Sequence, residues 1–241
     1  MSKYNPKRRR ALRGTKAYNN KTFLNSTEGR SIRIQCELEE PTVRLKRLGI
    51  DHLISIFGSA RTSPDDKWYI AAQDLSRKLG EWTKTLDKPN VAISSGGGPG
   101  IMEAVNKGAH EANALSVGMG ISLPFEQFNN EYLTPDLDFE FHYFFTRKYH
   151  CVYLAKAFVA MPGGVGTMDE LFEVMTLIQT RKLTLDVPIV LYGKEFWNSV
   201  VNFEKLVEFG TISADDLDIF KVCDEVDEAY EYITTNINLD Q

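Results

Sequence analysis

The chain is poor in the residues that redox and metal chemistry draw on. Its three cysteines, Cys36, Cys151 and Cys223, are odd in number, widely scattered and form no CxxC pair. That excludes a disulfide framework or a Cys-based structural zinc site and points to reduced thiols in the cytoplasm. His150-Cys151 is adjacent in sequence, which is not the geometry a nucleophile and its base need, so both read as structural residues. Histidine is equally sparse, at four, and His52, His110 and His142 have no neighbour that suggests ligation. No apolar run approaches membrane-spanning length, and the amino terminus lacks a signal peptide's hydrophobic segment. Two familiar nucleotide fingerprints are missing. Neither Gly96-Gly-Gly-Pro-Gly100 nor Gly163-Gly-Val-Gly166 gives GxGxxG, and no GxxxxGK[ST] occurs, which argues against a dinucleotide site and a P-loop NTPase.

Acid is missing from one place. Residues 1–21 hold eight Lys or Arg and no Asp or Glu, leaving the remainder with 20 basic and 33 acidic side chains. An acidic body argues against nucleic acid as the main partner, beyond a weak contact of the basic arm. Residues 1–40 are expected to be a basic, flexible arm, and residues 41–241 one catalytic domain, with a first short helix from Pro41 to Leu48.

What is present is strands alternating with helices. Strands are expected at Leu53–Phe57, Val91–Ile93, Ser116–Ile121, Ala157–Met161, Val187–Tyr192 and Phe220–Val222, with a half-buried edge strand over Asp138–Tyr143. Helices are expected from about Pro64 (capped by Ser63) to Trp82, Ile101 to Glu111, Arg147 to Lys156, after Gly166, Lys194 to Glu208 and Glu225 to Thr234. The pattern predicts an α/β fold: a single Rossmann-like domain, with a parallel sheet and helices on both faces. In such sheets ligands bind beyond the carboxyl ends of the strands. Three of those ends carry small residues: Gly58-Ser59, Gly96 to Gly100 and Gly163 to Thr167. Glycine loops before helix amino termini present N–H groups to an anion, so a phosphorylated ligand is expected.

The residues then carry a specific resemblance. Pro162-Gly-Gly-Val-Gly-Thr-Met-Asp-Glu170 matches PGGxGTxxE, the Arg147-Lys148 pair stands upstream, and Ser95-Gly-Gly-Gly-Pro-Gly-Ile-Met-Glu103 supplies a second glycine motif. Together with Leu123-Pro-Phe-Glu-Gln127 and Phe144-Phe-Thr-Arg147, these resemble the LOG (Lonely Guy) family, in its bacterial long-form branch. The likeness spans roughly residues 45–235; the first forty residues match no motif. It implies hydrolysis of the N-glycosidic bond of an adenine-type nucleoside 5′-monophosphate, AMP or a cytokinin riboside 5′-monophosphate. It also implies a homo-oligomer, with helices near Arg147 and Met168 at the interface. By the same resemblance Glu170 is the catalytic carboxylate and Arg147 orients it or the ribose phosphate. Gly163, Gly164, Gly166 and Thr167 hold the phosphate; Gly58, Ser59, Gly96, Gly97, Gly98, Glu103, Glu126 and Lys148 complete the substrate site. The reaction calls for no metal or cofactor.

Plainer readings stand beside these. Thr167 and Glu170 also spell a T-x-x-E capping box. Glu173 is either a second site carboxylate or a solvated helix residue, and Glu103 either reaches a ligand hydroxyl or simply opens a helix. Phe139, Phe141, Tyr143 and Phe145 stack a purine or fill the core. A non-catalytic nucleotide-binding or sensing protein would use the same loops. A decarboxylase, the label this family long carried, would need a lysine in a cofactor-anchoring context, and none is recognisable.

Overall fold

The computed structural model describes residues 14–88, 90–123, 129–183 and 187–239. Seven strands form one sheet: β1 (His52–Phe57), β2 (Val91–Ser95), β3 (Ser116–Ile121), β4 (Asp138–Phe141), β5 (Ala155–Ala160), β6 (Ile189–Tyr192) and β7 (Lys221–Cys223). Their order is β4-β3-β2-β1-β5-β6-β7, and each of the pairings is parallel. Around them run α1 (Lys21–Leu24), α2 (Arg30–Arg47), α3 (Lys67–Thr83), α4 (Ile101–Glu111), α5 (Phe144–Tyr153), α6 (Val165–Gln179), α7 (Lys194–Val200), α8 (Phe203–Glu208) and α9 (Val226–Asn236). No helix among the described residues is long and apolar enough to cross a membrane.

Strand periodicity sorts the core into two layers. Along β1, Ile54 and Ile56 face one side with Leu75 of α3, Val105 of α4 and Ile233 of α9. Leu53 and Phe57 face the other with Val152 of α5 and Leu171 of α6. Both faces of the sheet are therefore covered, which is why the inner strands read as nearly unbroken apolar runs. β4 is the exception. As an edge strand it alternates: Asp138 and Glu140 are exposed while Phe139 and Phe141 are buried. The structure thus puts these two rings in the core.

The amino-terminal expectation needs correcting. Pro41 does not open a helix; it lies inside α2, whose first eleven residues fall within the segment expected to be a flexible arm. The expectation started the helix at the proline. The apolar stripe of α2 was too sparse to override it: Pro41 and Leu45 are its only buried residues. Smaller shifts have local causes. α3 is capped by Asp66, whose side chain accepts the Trp68 N–H at 2.8 Å, rather than by Ser63. The single helix expected over Lys194–Glu208 breaks in two, where Asn202 caps α8 by accepting the Lys205 N–H at 2.9 Å.

Position follows from topology. The sheet order reverses between β1 and β5, and Phe57 pairs with Ala160 at the carboxyl ends of these two strands. The chain after β1 and the chain after β5 therefore leave the sheet side by side, which opens a crevice above it.

Candidate active site

That crevice is a cleft of about 620 Å³. Its walls come from the ends of β1, β2, β3 and β5, together with α5 and α6. The loops that form it are tied to one another through their backbones. The Ser59 N–H donates to the Pro162 carbonyl at 3.1 Å, and the Ile101 N–H donates to the Ser59 carbonyl at 2.9 Å. Gly100 sits at φ +68°, and a Cβ there would lie 2.4 Å from the Ser59 oxygen. Only glycine meets both demands at this crossing.

One wall is the start of α6. Gly164 is its N-cap and supplies no side chain to the helix end. Among the described residues, nothing comes within 4 Å of a Cβ built at Gly164 or Gly166. The space over the first N–H groups of α6 is therefore open to the cleft, with the positive end of the helix dipole behind it. Thr167, in the first turn, also lines the cleft and is nearly buried. The capping-box reading of Thr167 and Glu170 does not hold: the helix starts before Thr167, and Glu170 lies in its second turn.

Glu170 instead turns to α5. Its Oε1 accepts from Arg147 Nη2 at 2.5 Å, and the two side chains are only 10% and 11% exposed. Burial pushes the Glu170 carboxyl above its ordinary range; Arg147 and Lys148 pull it back, while Asp169 and Glu173 push it further. Burial is the largest influence on Arg147 and opposes its charge, but Glu170, Cys151 and Asp169 together outweigh it and keep the guanidinium protonated. Arg147 Nε is buried with no hydrogen-bond partner among the described residues. From the β2 side, a Cβ at Gly96 would sit 3.2 Å from Arg147 Nη2, so this glycine lets the pair approach the loop. Beneath lies Cys151, fully buried, its thiol pushed up to about 12 by burial against the pull of Arg147. Such a thiol is inert.

A family model described as "Possible lysine decarboxylase" matches residues 102–233. The chain belongs to this family. Within it, the relative named "Probable cytokinin riboside 5'-monophosphate phosphoribohydrolase LOG4" from Oryza sativa subsp. japonica is 29% identical over 183 residues, 75% of this chain and 76% of that one. The Arabidopsis thaliana cytokinin riboside 5'-monophosphate phosphoribohydrolase LOG4 is 27% identical over 185 residues, 73% of this chain and 78% of its own. Among solved structures, a molybdenum cofactor binding protein from Rippkaea orientalis is similar with a TM-score of 0.54. It shares 16% identity and covers 77% of this chain and 96% of that one, a likeness of fold.

Of the residues expected from LOG-family motifs, Gly58, Ser59, Gly96, Gly98, Arg147, Gly164, Gly166, Thr167 and Glu170 line the cleft. Others stand behind it. Gly163 packs against Thr167, where a Cβ would meet Oγ1 at 2.1 Å, and Gly97 packs on Gly118 at φ +74°. Glu103 opens α4 and accepts from the Tyr69 hydroxyl at 2.9 Å, which turns it away from the cleft. Lys148 bridges to Asp169 at 3.1 Å and to Glu173 at 2.6 Å, so these three join α5 to α6 rather than line the site. Glu126 lies outside the described residues.

Arg61, Asn129, Glu140 and Phe144 line the cleft too, though none was expected in the site; Phe144 stood in a motif without a role. Phe144 is 51% exposed and directly precedes the stripe's Phe145. The alternation that put Phe139 and Phe141 on one side ends where β4 gives way to α5, and the ring facing the cleft changes parity there. Asn130, beside Asn129, ties the second glycine loop down. Its Nδ2 donates to the Gly97 and Gly98 carbonyls at 2.9 and 3.1 Å.

Proposed function

We propose that this protein hydrolyses the N-glycosidic bond of a purine nucleoside 5′-monophosphate, AMP or a cytokinin riboside 5′-monophosphate, giving free base and ribose 5-phosphate. The observation that carries the reading is the buried Arg147–Glu170 pair, set in the same cleft as the uncapped amino end of α6. The names of the curated relatives point the same way.

In this reading the 5′-phosphate lies over the N–H groups of residues 165–167, with the Thr167 and Ser59 hydroxyls beside it. The ribose then reaches toward Glu170. Bond breaking builds positive charge on the ribosyl ring, which a carboxylate held in a dry site stabilises strongly. The bond from C1′ to the base nitrogen breaks with its electrons leaving on the base, and water adds at C1′. The proton that Glu170 takes from this water balances the one the departing base needs. A carboxyl whose proton affinity is raised by burial suits that role, and Arg147 keeps it ionised and aimed. Among the described residues no lysine lines the cleft, so those present do not suit an amine-anchored decarboxylation.

Phe145, Tyr149 and Tyr153 leave an exposed aromatic face on α5, continued by Phe172 on α6. This face supports a homo-oligomer built across these two helices. The test of function is free-base release, measured chromatographically with AMP, other nucleoside monophosphates and a cytokinin ribotide as substrates. Adenine or cytokinin should appear with the first or the last of these. Intact nucleotide in every incubation would overturn the proposal.

A further inference from the structure

Arg147 must be aimed by something, and its own helix does not do it. Tyr143, the N-cap of α5, provides no side-chain cap, and Arg147 lies only four residues into the chain beyond it. The missing partner comes from α2, outside the matched family region and in a segment where the sequence offered no motif.

The side chain is Glu37. One carboxylate oxygen accepts the His142 N–H at 2.9 Å. The other accepts the Tyr143 N–H at 3.3 Å and lies 2.6 Å from the Thr146 hydroxyl. Thr146 Oγ1 is also 2.8 Å from the Tyr143 carbonyl, so its one proton is shared between these acceptors. A carboxylate placed here fixes the entry backbone of α5 and sits at the helix's positive end. It does the work of a capping box, with the acid supplied from another helix.

A second bond locks Glu37 itself. The carbonyl of Glu37 would ordinarily receive the N–H of residue 41, but residue 41 is proline and has none. The buried His150, two turns along α5 from Tyr143, fills the gap: its Nε2 lies 2.7 Å from the Glu37 carbonyl oxygen. Thus the proline inside α2 frees an acceptor, and α5 supplies the donor. Farther along α2, Arg44 donates to the Asp138 carbonyl at 3.0 Å and lies over the Phe139 ring, while Arg33 Nη2 reaches the Tyr143 hydroxyl at 3.2 Å. So α2 holds both β4 and the start of α5.

We infer that Glu37 is a positioning residue of the active site: by fixing the first turn of α5 from α2, it sets Arg147 against Glu170. The inference rests on the roles given to Arg147 and Glu170 above. The charged or titratable groups facing Glu170 are Arg147, Lys148 and Cys151 from α5, and Asp169 and Glu173 from α6. Of these, Arg147 makes the closest contact, so a loosened α5 weakens the main support of the ionised carboxyl.

The experiment uses the full chain with Glu37→Ala, Glu37→Gln and Thr146→Val. For Glu37→Ala, kcat on AMP should fall by about 10²-fold, the cost of a displacement near 1 Å, while KM changes little because the phosphate loops are untouched. Glu37→Gln keeps an acceptor of the same shape and should recover part of the loss, and Thr146→Val should be milder still. The acid limb of the pH–rate profile should move to higher pH in Glu37→Ala. A ¹³C-carboxyl titration of Glu170, assigned with Glu170→Gln, should move the same way whether or not the protein turns over AMP. A Glu37→Ala protein with wild-type kcat would overturn the inference. So would an unmoved Glu170 titration, even if the melting temperature fell, since that outcome describes a structural contact only. If the wild type releases no base but the titration moves, the functional reading fails and the positioning role of Glu37 stands.

Discussion

Two helix starts stand side by side in this molecule, and they are finished differently. The entry to α5 is closed from within: Glu37 takes two backbone N–H groups and faces the Thr146 hydroxyl. The entry to α6 is left open among the described residues, with a glycine N-cap, no side-chain cap and no atom near a Cβ at Gly164 or Gly166. An exposed helix end left uncapped over a cleft has free N–H groups, and in the proposed reading they hold the phosphate. On that reading the closed end aims a charge and the open end receives one. Arg147 from the first and Glu170 from the second meet between them.

The sharpest way to break this contrast is to remove the carboxylate of the open helix while keeping its shape. Glu170→Gln should lower kcat on the order of 10³-fold, the usual worth of a positioned acid–base group, with nucleotide binding retained by calorimetry. Wild-type turnover would remove Glu170 from the chemistry.

Next comes the open end itself. Gly166→Ala places a methyl group where no described residue comes within 4 Å. If the space serves only the fold, the change should simply stabilise the helix, by about 0.5–1 kcal/mol. If it serves a phosphate, the same variant should also bind the monophosphate about tenfold more weakly or worse, since a hydrogen bond to a charged group contributes roughly 1.5–3 kcal/mol. A higher melting temperature together with weaker binding is the expected pair of results.

The smallest effect belongs to the closed end. His150 is held below its ordinary pKa by burial, against the pull of the Glu37 carbonyl and the Glu37 and Glu40 charges. Its Nδ1 is buried with no partner among the described residues. The unfolded chain takes up a proton near pH ~6.5 and the folded chain resists it, so stability is lost as pH falls below that value. Denaturant unfolding of the wild type should therefore lose more stability between about pH 7.5 and 5.5 than unfolding of His150→Gln. Equal losses would mean that His150 does not matter to the α2–α5 contact.

The two helix starts also differ in how legible they are from sequence. The open one was legible, because glycines between an apolar strand and an amphipathic helix are a local pattern with one physical meaning. The parallel sheet followed equally well from alternation and buried runs, and β4 showed its edge position through Asp138 and Glu140, though the order of the strands did not follow. The closed start was not legible. Glu37 lies 109 residues from Thr146, and no local spacing connects them. Pro41 misdirected the reading, since a proline inside a helix makes sense only once His150 is seen to bond the carbonyl it frees. Glu103 and Lys148 show the opposite limit: motif membership put them in the site, but each satisfies its charge elsewhere, on Tyr69 and on Asp169 and Glu173. Phe144, quoted in a motif, was given no place in the site because a change from strand to helix resets which neighbours share a face.

The central claim is that the charges of these two helices meet to cleave a ribosyl bond. Its most direct test is a single-turnover incubation of excess wild-type protein with AMP, quenched and resolved into adenine, ribose 5-phosphate, adenosine and AMP. The account predicts adenine and ribose 5-phosphate in equal amounts, with no adenosine. AMP recovered intact from the protein would contradict it.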